Sequence, residues 1–157
     1  MARELDARLP EDLRRAFDGQ NLHEKVGLAY VLVTNDPDNN PRICMLSAGE
    51  VLAIDEVTLR FGLWPGTRTS RNLARGVRAL FAYVAPGRVL YVRGTVQSLA
   101  PVAAPRLARF ALRVDSVESD EHVGMPVTAP IRFSVDSARV SEVLLDWRAQ
   151  LDELRLP

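Results

Sequence analysis

The chain has 157 residues, 47% apolar and 25% charged, the make-up of a single soluble globular domain with a core large enough to need no staples. Its 20 basic and 20 acidic side chains leave no net charge, which argues against a general nucleic-acid binder. One cysteine excludes an internal disulfide and a Cys-rich zinc site, two distant histidines make no metal cage, and no apolar run is long enough for a bilayer. Met1 to Asp6 lacks an apolar signal core, so a cytoplasmic protein is expected.

In chain order, Pro10-Glu11-Asp12 opens a short helix over about 10–18, with proline and acids in the first turn, where the dipole favours them. Residues 26–34 are a nearly continuous apolar, β-rich run and predict a buried strand. The dense turn chemistry of 35–41 leads to a return strand over 42–47. Residues 49–55 fit either a helical turn or a short strand. From 57 to 64 the pattern alternates, with Val57, Leu59, Phe61 and Leu63 on one face and Trp64 on the other. After Pro65-Gly66, a short helix is expected from Thr67 as N-cap to a stop at Gly76.

Residues 77–84 and 88–99 form a hairpin across Ala85-Pro86-Gly87-Arg88, which has the residues of a type II turn. Pro101 and Pro105 break the chain. A strand over 110–117 and a short one over 131–135 follow, with the acids Asp115, Glu118, Asp120 and Glu121 read as a solvated loop. Val140, Val143, Leu144, Trp147, Leu151 and Leu154 share one helical face, with Asp136 available as a cap, which predicts a terminal helix over about 136–155. The expected fold is mainly β: an antiparallel barrel over about 22–135 with helices outside.

The charges are unevenly placed. Residues 57–114 hold no Asp or Glu and ten arginines. Either these pair with acids elsewhere in the fold, or the segment is built to hold an anion. Within it, Thr67, Arg68, Thr69, Ser70 and Arg71 crowd the first turn of the short helix. Cations there oppose the helix dipole, and a bound phosphate would reverse that cost. Arg42 opens an otherwise apolar strand and is a second candidate. Trp64 could cover a flat ring or a subunit interface. Cys44, between apolar neighbours, reads as an inert core thiol.

Two segments together resemble the pyridoxamine 5'-phosphate oxidase-like family of FMN-binding split β-barrels. They are Arg42-Ile43-Cys44-Met45-Leu46-Ser47, and the strand to Trp64 followed by Thr67-Arg68-Thr69 and Asn72-Leu73. The hairpin over 77–96 with Gly94 extends the match, which covers about residues 22–118. The resemblance implies a split barrel that binds FMN at a homodimer interface. Arg42, Thr67, Arg68 and Thr69 would lie on the phosphate side, and either Arg68 or Arg71 could replace the cation that Ser47 lacks. Met45, Leu46 and Ser47 would run along the ring. The oxidase tends to have Lys where this chain has Ser47, and its substrate-binding tail is not recognisable here, which argues against pyridoxamine phosphate oxidase activity. Deazaflavin or haem replaces FMN in some relatives.

The implied activity is electron transfer from a reduced nicotinamide to a small-molecule acceptor, with neither nucleic acid nor membrane as partner. A non-catalytic dimer that stores or senses a phosphorylated cofactor is the alternative. Strands over 26–33 and 77–84 that are apolar on both faces favour a homodimer. Arginines around a flavin would raise its midpoint potential.

Overall fold

Turns fix where the strands of this chain can run. Gly87 sits at φ +67 in the tight turn that pairs Ala85 with Arg88, a left-handed conformation open to glycine at little cost. Between such turns, the computed structural model describes residues 1–157 as eight strands and three helices. The strands are β1 (Ala2–Leu5), β2 (Tyr30–Asn35), β3 (Pro41–Leu46), β4 (Val51–Ala53), β5 (Thr58–Leu63), β6 (Arg78–Ala85), β7 (Arg88–Ser98) and β8 (Ala108–Asp120). The helices are α1 (Glu11–Ala16), α2 (Arg68–Ala74) and α3 (Val140–Arg155).

The strands form one antiparallel sheet in the order β3-β2-β6-β7-β8-β5-β4, curled into a split barrel, with β1 added to the far half of β8. β8 is the spine. One edge pairs with β7, and the other is shared between β5 and β1. The register between β7 and β8 shifts between Arg93 and Gly94, which face Ser116 and Val114, so Asp115 is the extra residue of a bulge in β8. A Cβ on Gly94 would stand 2.0 Å from the Arg113 carbonyl oxygen, so only glycine admits this approach.

The inward faces of the strands meet Leu13 and Phe17 from the first helical region and Trp147, Leu151 and Leu154 from α3 in a single core. Phe17 packs edge-on against Tyr30 and Phe81, an arrangement that favours the ring quadrupoles. The α3 C-terminus is held from the sheet. Arg60 donates to the Leu154 and Leu156 carbonyls, and buried Arg109 to those of Glu153, Leu156, Ala100 and Pro157. Cations at this end of a helix satisfy its free carbonyls. No helix is long and apolar enough to cross a membrane.

Several expectations are corrected. The strand expected to begin at Val26 begins at Tyr30, because Leu22–Lys25 form a 3-10 turn and Gly27 takes φ +86. The acidic run is not a loop: β8 continues through Asp120, and its acids pair across the sheet, Asp115 with Arg78 and Glu118 with Arg93. Residues 131–135 make only an isolated bridge, Arg132 to Leu28. β1 was not foreseen, since Ala2–Leu5 carries two charges in four residues. Residues 49–55 resolve to the three-residue β4.

Candidate functional site

The site is built where β2, β3 and α2 meet. α2 begins as its sequence predicts: the Thr67 hydroxyl accepts from the Ser70 backbone N–H at 3.1 Å, and the Ser70 hydroxyl donates to the Thr67 carbonyl at 2.9 Å. Ser70, Asn72 and Leu73 turn inward, while Thr67 and Arg68 stay exposed. Gly76, at φ +70, follows the last turn.

β3 pairs with β2 in a register that sets Arg42 opposite Thr34, Cys44 opposite Leu32 and Leu46 opposite Tyr30. Arg42, Cys44 and Leu46 therefore share the inner face, since strand side chains alternate. Ile43 and Met45 lie on the outer face.

Arg42 and Arg68 converge, although 26 positions separate them in the chain. Both reach the same oxygen of Asp36. Arg42 donates from Nε to Oδ2 at 2.5 Å, and Arg68 places Nη1 3.6 Å from it. The other carboxylate oxygen accepts from the Asn72 side-chain amide at 3.0 Å, and that amide also donates to the Thr34 hydroxyl at 3.1 Å. The Asp36 side chain is 9% exposed, whereas those of Arg42 and Arg68 are 46% and 55% exposed. The Arg42 hydrogen bond, then the Asn72 amide, hold the Asp36 carboxyl below the usual carboxylate range, against the opposing effect of burial.

The remaining predicted residues divide. Thr69 stands beside half-buried Cys44, whose thiol is pushed up mainly by burial. Ser47 donates from its backbone N–H and its hydroxyl to the Glu50 carboxylate, at 2.7 and 2.8 Å. Burial pushes the Glu50 carboxyl up, and these two bonds oppose it. Leu46 is buried in the core, so only its backbone can meet a ligand. Met45 is half exposed on the outer face, away from Arg42. Trp64 projects from the end of β5 with 57% exposure. Arg71 is not part of the cluster. It donates to the Gly66 carbonyl at 2.7 Å and lines a separate cavity of about 370 Å³ beneath residues 98–110.

Asp36 and Thr34 are not singled out by the sequence, and Asn72 enters there only in the Asn72-Leu73 pair that carries the resemblance, with no role given to it. Asp36 was hidden among six other turn residues.

Phosphate oxygens accept the same guanidinium N–H donors as a carboxylate does, so an arrangement of this kind is chemically able to hold an anion. No family model matches the chain. It is 33% identical over 149 residues to YclD, an uncharacterized protein of Bacillus subtilis, covering 94% of this chain and 96% of that one. Among solved structures, a protein of Lactobacillus delbrueckii provisionally described as a pyridoxamine 5'-phosphate oxidase matches with a TM-score of 0.54 and 19% identity. The match covers 73% of this chain and 97% of that protein. HupZ of Group A Streptococcus matches with a TM-score of 0.53 and 10% identity, over 80% and 99% of the two chains. The fold is thus that of the pyridoxamine 5'-phosphate oxidase-like split barrels.

Proposed function

The chain belongs to the same family as YclD, and we propose that it is a single-domain, homodimeric flavoprotein that binds FMN through Arg42 and Arg68. The observation that carries this reading is the convergence of those two guanidiniums from β3 and α2 on one anionic oxygen. Thr67 and Thr69 flank Arg68 in the chain and would add hydroxyls to the phosphate side. The Arg42–Ser47 stretch would run beside the ring, with Leu46 contributing only backbone and Trp64 available to cover it. Bound there, FMN supplies the redox chemistry, carrying electrons from a reduced nicotinamide to a small acceptor, while the chain supplies binding and orientation.

The outer sheet face supports the dimer. Ile43 and Met45 on β3 are 70% and 49% exposed. They lie opposite Val33 and Val31 on β2, which in turn pair with Leu80 and Ala82 on β6. This block is apolar across three strands and includes the edge strand, where uncovered apolar surface invites pairing. A second copy covers it and also brings Met45 to a flavin held between the two chains.

Arg68→Ala is the cleaner test of the pair, because Arg42→Ala would strip the short bond from a buried carboxylate. Losing one charge-assisted contact of about 1.5–3 kcal/mol raises the FMN dissociation constant roughly 10- to 150-fold. Riboflavin, which lacks the phosphate, should lose little. Titration of both ligands by flavin fluorescence measures this, and equal losses would move Arg68 to a role in the fold. Oxidation of a reduced nicotinamide by the loaded protein separates an oxidoreductase from a cofactor-holding module.

A further inference from the structure

Asp36 has a place in this site that neither arginine explains. Its backbone is fixed by the β2–β3 turn, donating to the Asn40 carbonyl at 2.9 Å and accepting from the Asn39 N–H at 2.8 Å. Its side chain turns inward and ties together three elements: β3 through Arg42, α2 through Arg68 and Asn72, and β2 through the Asn72 amide shared with Thr34. Arg42 uses Nε for this contact and Arg68 one terminal nitrogen. A guanidinium has five N–H donors, so most of each remains available on the exposed side.

We propose that Asp36 is a positioning residue, holding the Arg42 and Arg68 guanidiniums as a preassembled pair whose free N–H groups meet one phosphate dianion. This rests on the phosphate reading above. Two like charges on long side chains from different elements do not stay together unaided. Without a common anchor each would have to be ordered when the ligand arrives.

Two effects of removing the Asp36 charge oppose each other. The site would become more positive and attract an anion more strongly. It would also weaken the anchor, because an amide in place of the carboxylate keeps one acceptor oxygen and turns an NH2 towards either the Arg42 Nε–H or the Asn72 amide. The arginines are about half exposed, so solvent screens the first effect. The second acts on a carboxylate that is almost fully enclosed, and it prevails.

Asp36→Asn tests this. FMN and riboflavin are titrated into wild type and variant across a salt series. The FMN dissociation constant is expected to rise about tenfold or more, the salt dependence of FMN binding to change, and the riboflavin constant to stay within about twofold. Unchanged or tighter FMN binding, in a wild type that prefers FMN to riboflavin, overturns the positioning role and leaves the phosphate reading intact. Equal losses for both ligands also overturn it, because they mark a purely structural residue. A wild type that does not distinguish FMN from riboflavin removes both proposals. If Asp36→Asn does not melt cooperatively, Asp36→Glu replaces it. That variant keeps the charge but moves the carboxylate by one methylene, and the same selective loss is expected.

Discussion

Placing a charge on the outer sheet face tests the assembly directly. Ile43 is 70% exposed in one chain and stands on the edge strand beside half-exposed Met45. Full burial of such a side chain contributes about 1.5–3 kcal/mol, so covering the exposed part of Ile43 contributes about 1–2 kcal/mol per protomer. A two-fold interface counts each position twice. Ile43→Asp removes that contribution from both copies and asks two carboxylates to leave water, at further cost. The combined loss of at least about 4 kcal/mol raises the dimer dissociation constant roughly a thousandfold. Within one chain the substitution is on the surface, so the melting temperature of the isolated chain should barely move. Sedimentation velocity should show wild type at twice the 17.4 kDa chain mass at micromolar concentration, and the variant at the chain mass. A monomeric wild type, or a variant that dimerises as before, refutes the reasoning.

Two other substitutions test the barrel and the ring end of the site. Gly94→Ala drives a Cβ into the Arg113 carbonyl and to 2.6 Å from Leu112 Cδ2, contacts that a paired strand cannot relieve. Urea unfolding should show a loss of about 3 kcal/mol, and a loss under about 0.5 kcal/mol would mean that the bulge relocates. Glu50→Gln keeps an acceptor for both Ser47 donors and removes the charge. Because burial raises the Glu50 carboxyl in the folded chain, the wild type gains stability as pH falls and loses it as pH rises above the unfolded carboxyl's ordinary value. The variant should therefore melt higher than wild type near pH 7, with the difference closing towards pH 4.5, and a difference independent of pH would contradict the burial argument.

Local chemistry made most of the fold legible. Thr67 and Gly76 bounded α2, Pro86-Gly87 marked the hairpin, and the alternation over Leu59, Phe61 and Leu63 gave the inner face of β5. What remained hidden depended on partners distant in sequence. β1 exists because β8 is long enough to offer it an edge, and the acids of β8 look like a loop until Arg78 and Arg93 stand across from them. In the site, Arg42 and Arg68 could be named separately, because each breaks a local rule, a charge opening an apolar strand and a cation at a helix start. Asp36 breaks none. It sits in a turn where aspartate is ordinary, and only the tertiary fold shows that its carboxylate faces both arginines.

The structure gives partners to most arginines of the acid-free middle of the chain. Arg78, Arg88, Arg93 and Arg106 pair with Asp115, Asp12, Glu118 and Asp146. Arg60 and Arg109 close the end of α3, and Arg71 and Arg75 hold the carbonyls of Gly66 and Asn35. Counting Arg68 with Asp36, five of the ten arginines thus have a carboxylate partner, while Arg60, Arg71, Arg75 and Arg109 donate to carbonyls, which satisfy their N–H groups without neutralising their charge. Arg68 is the member of that segment that joins Arg42, and the pair shares Asp36, so the pole carries one net positive charge. At the other end of β3, Ser47 faces a carboxylate rather than a cation. A ring lying along this strand would meet positive charge at its phosphate end and Glu50 at the far end. A raised flavin potential requires that Arg42, or a barrel arginine such as Arg88 or Arg93, reach the ring; Arg88 and Arg93 are held in ion pairs with Asp12 and Glu118, which leaves Arg42 as the candidate. On the proposed reading, positive charge gathers at the phosphate end, and a midpoint potential equal to or below that of free FMN would show that it acts on the phosphate and not on the ring.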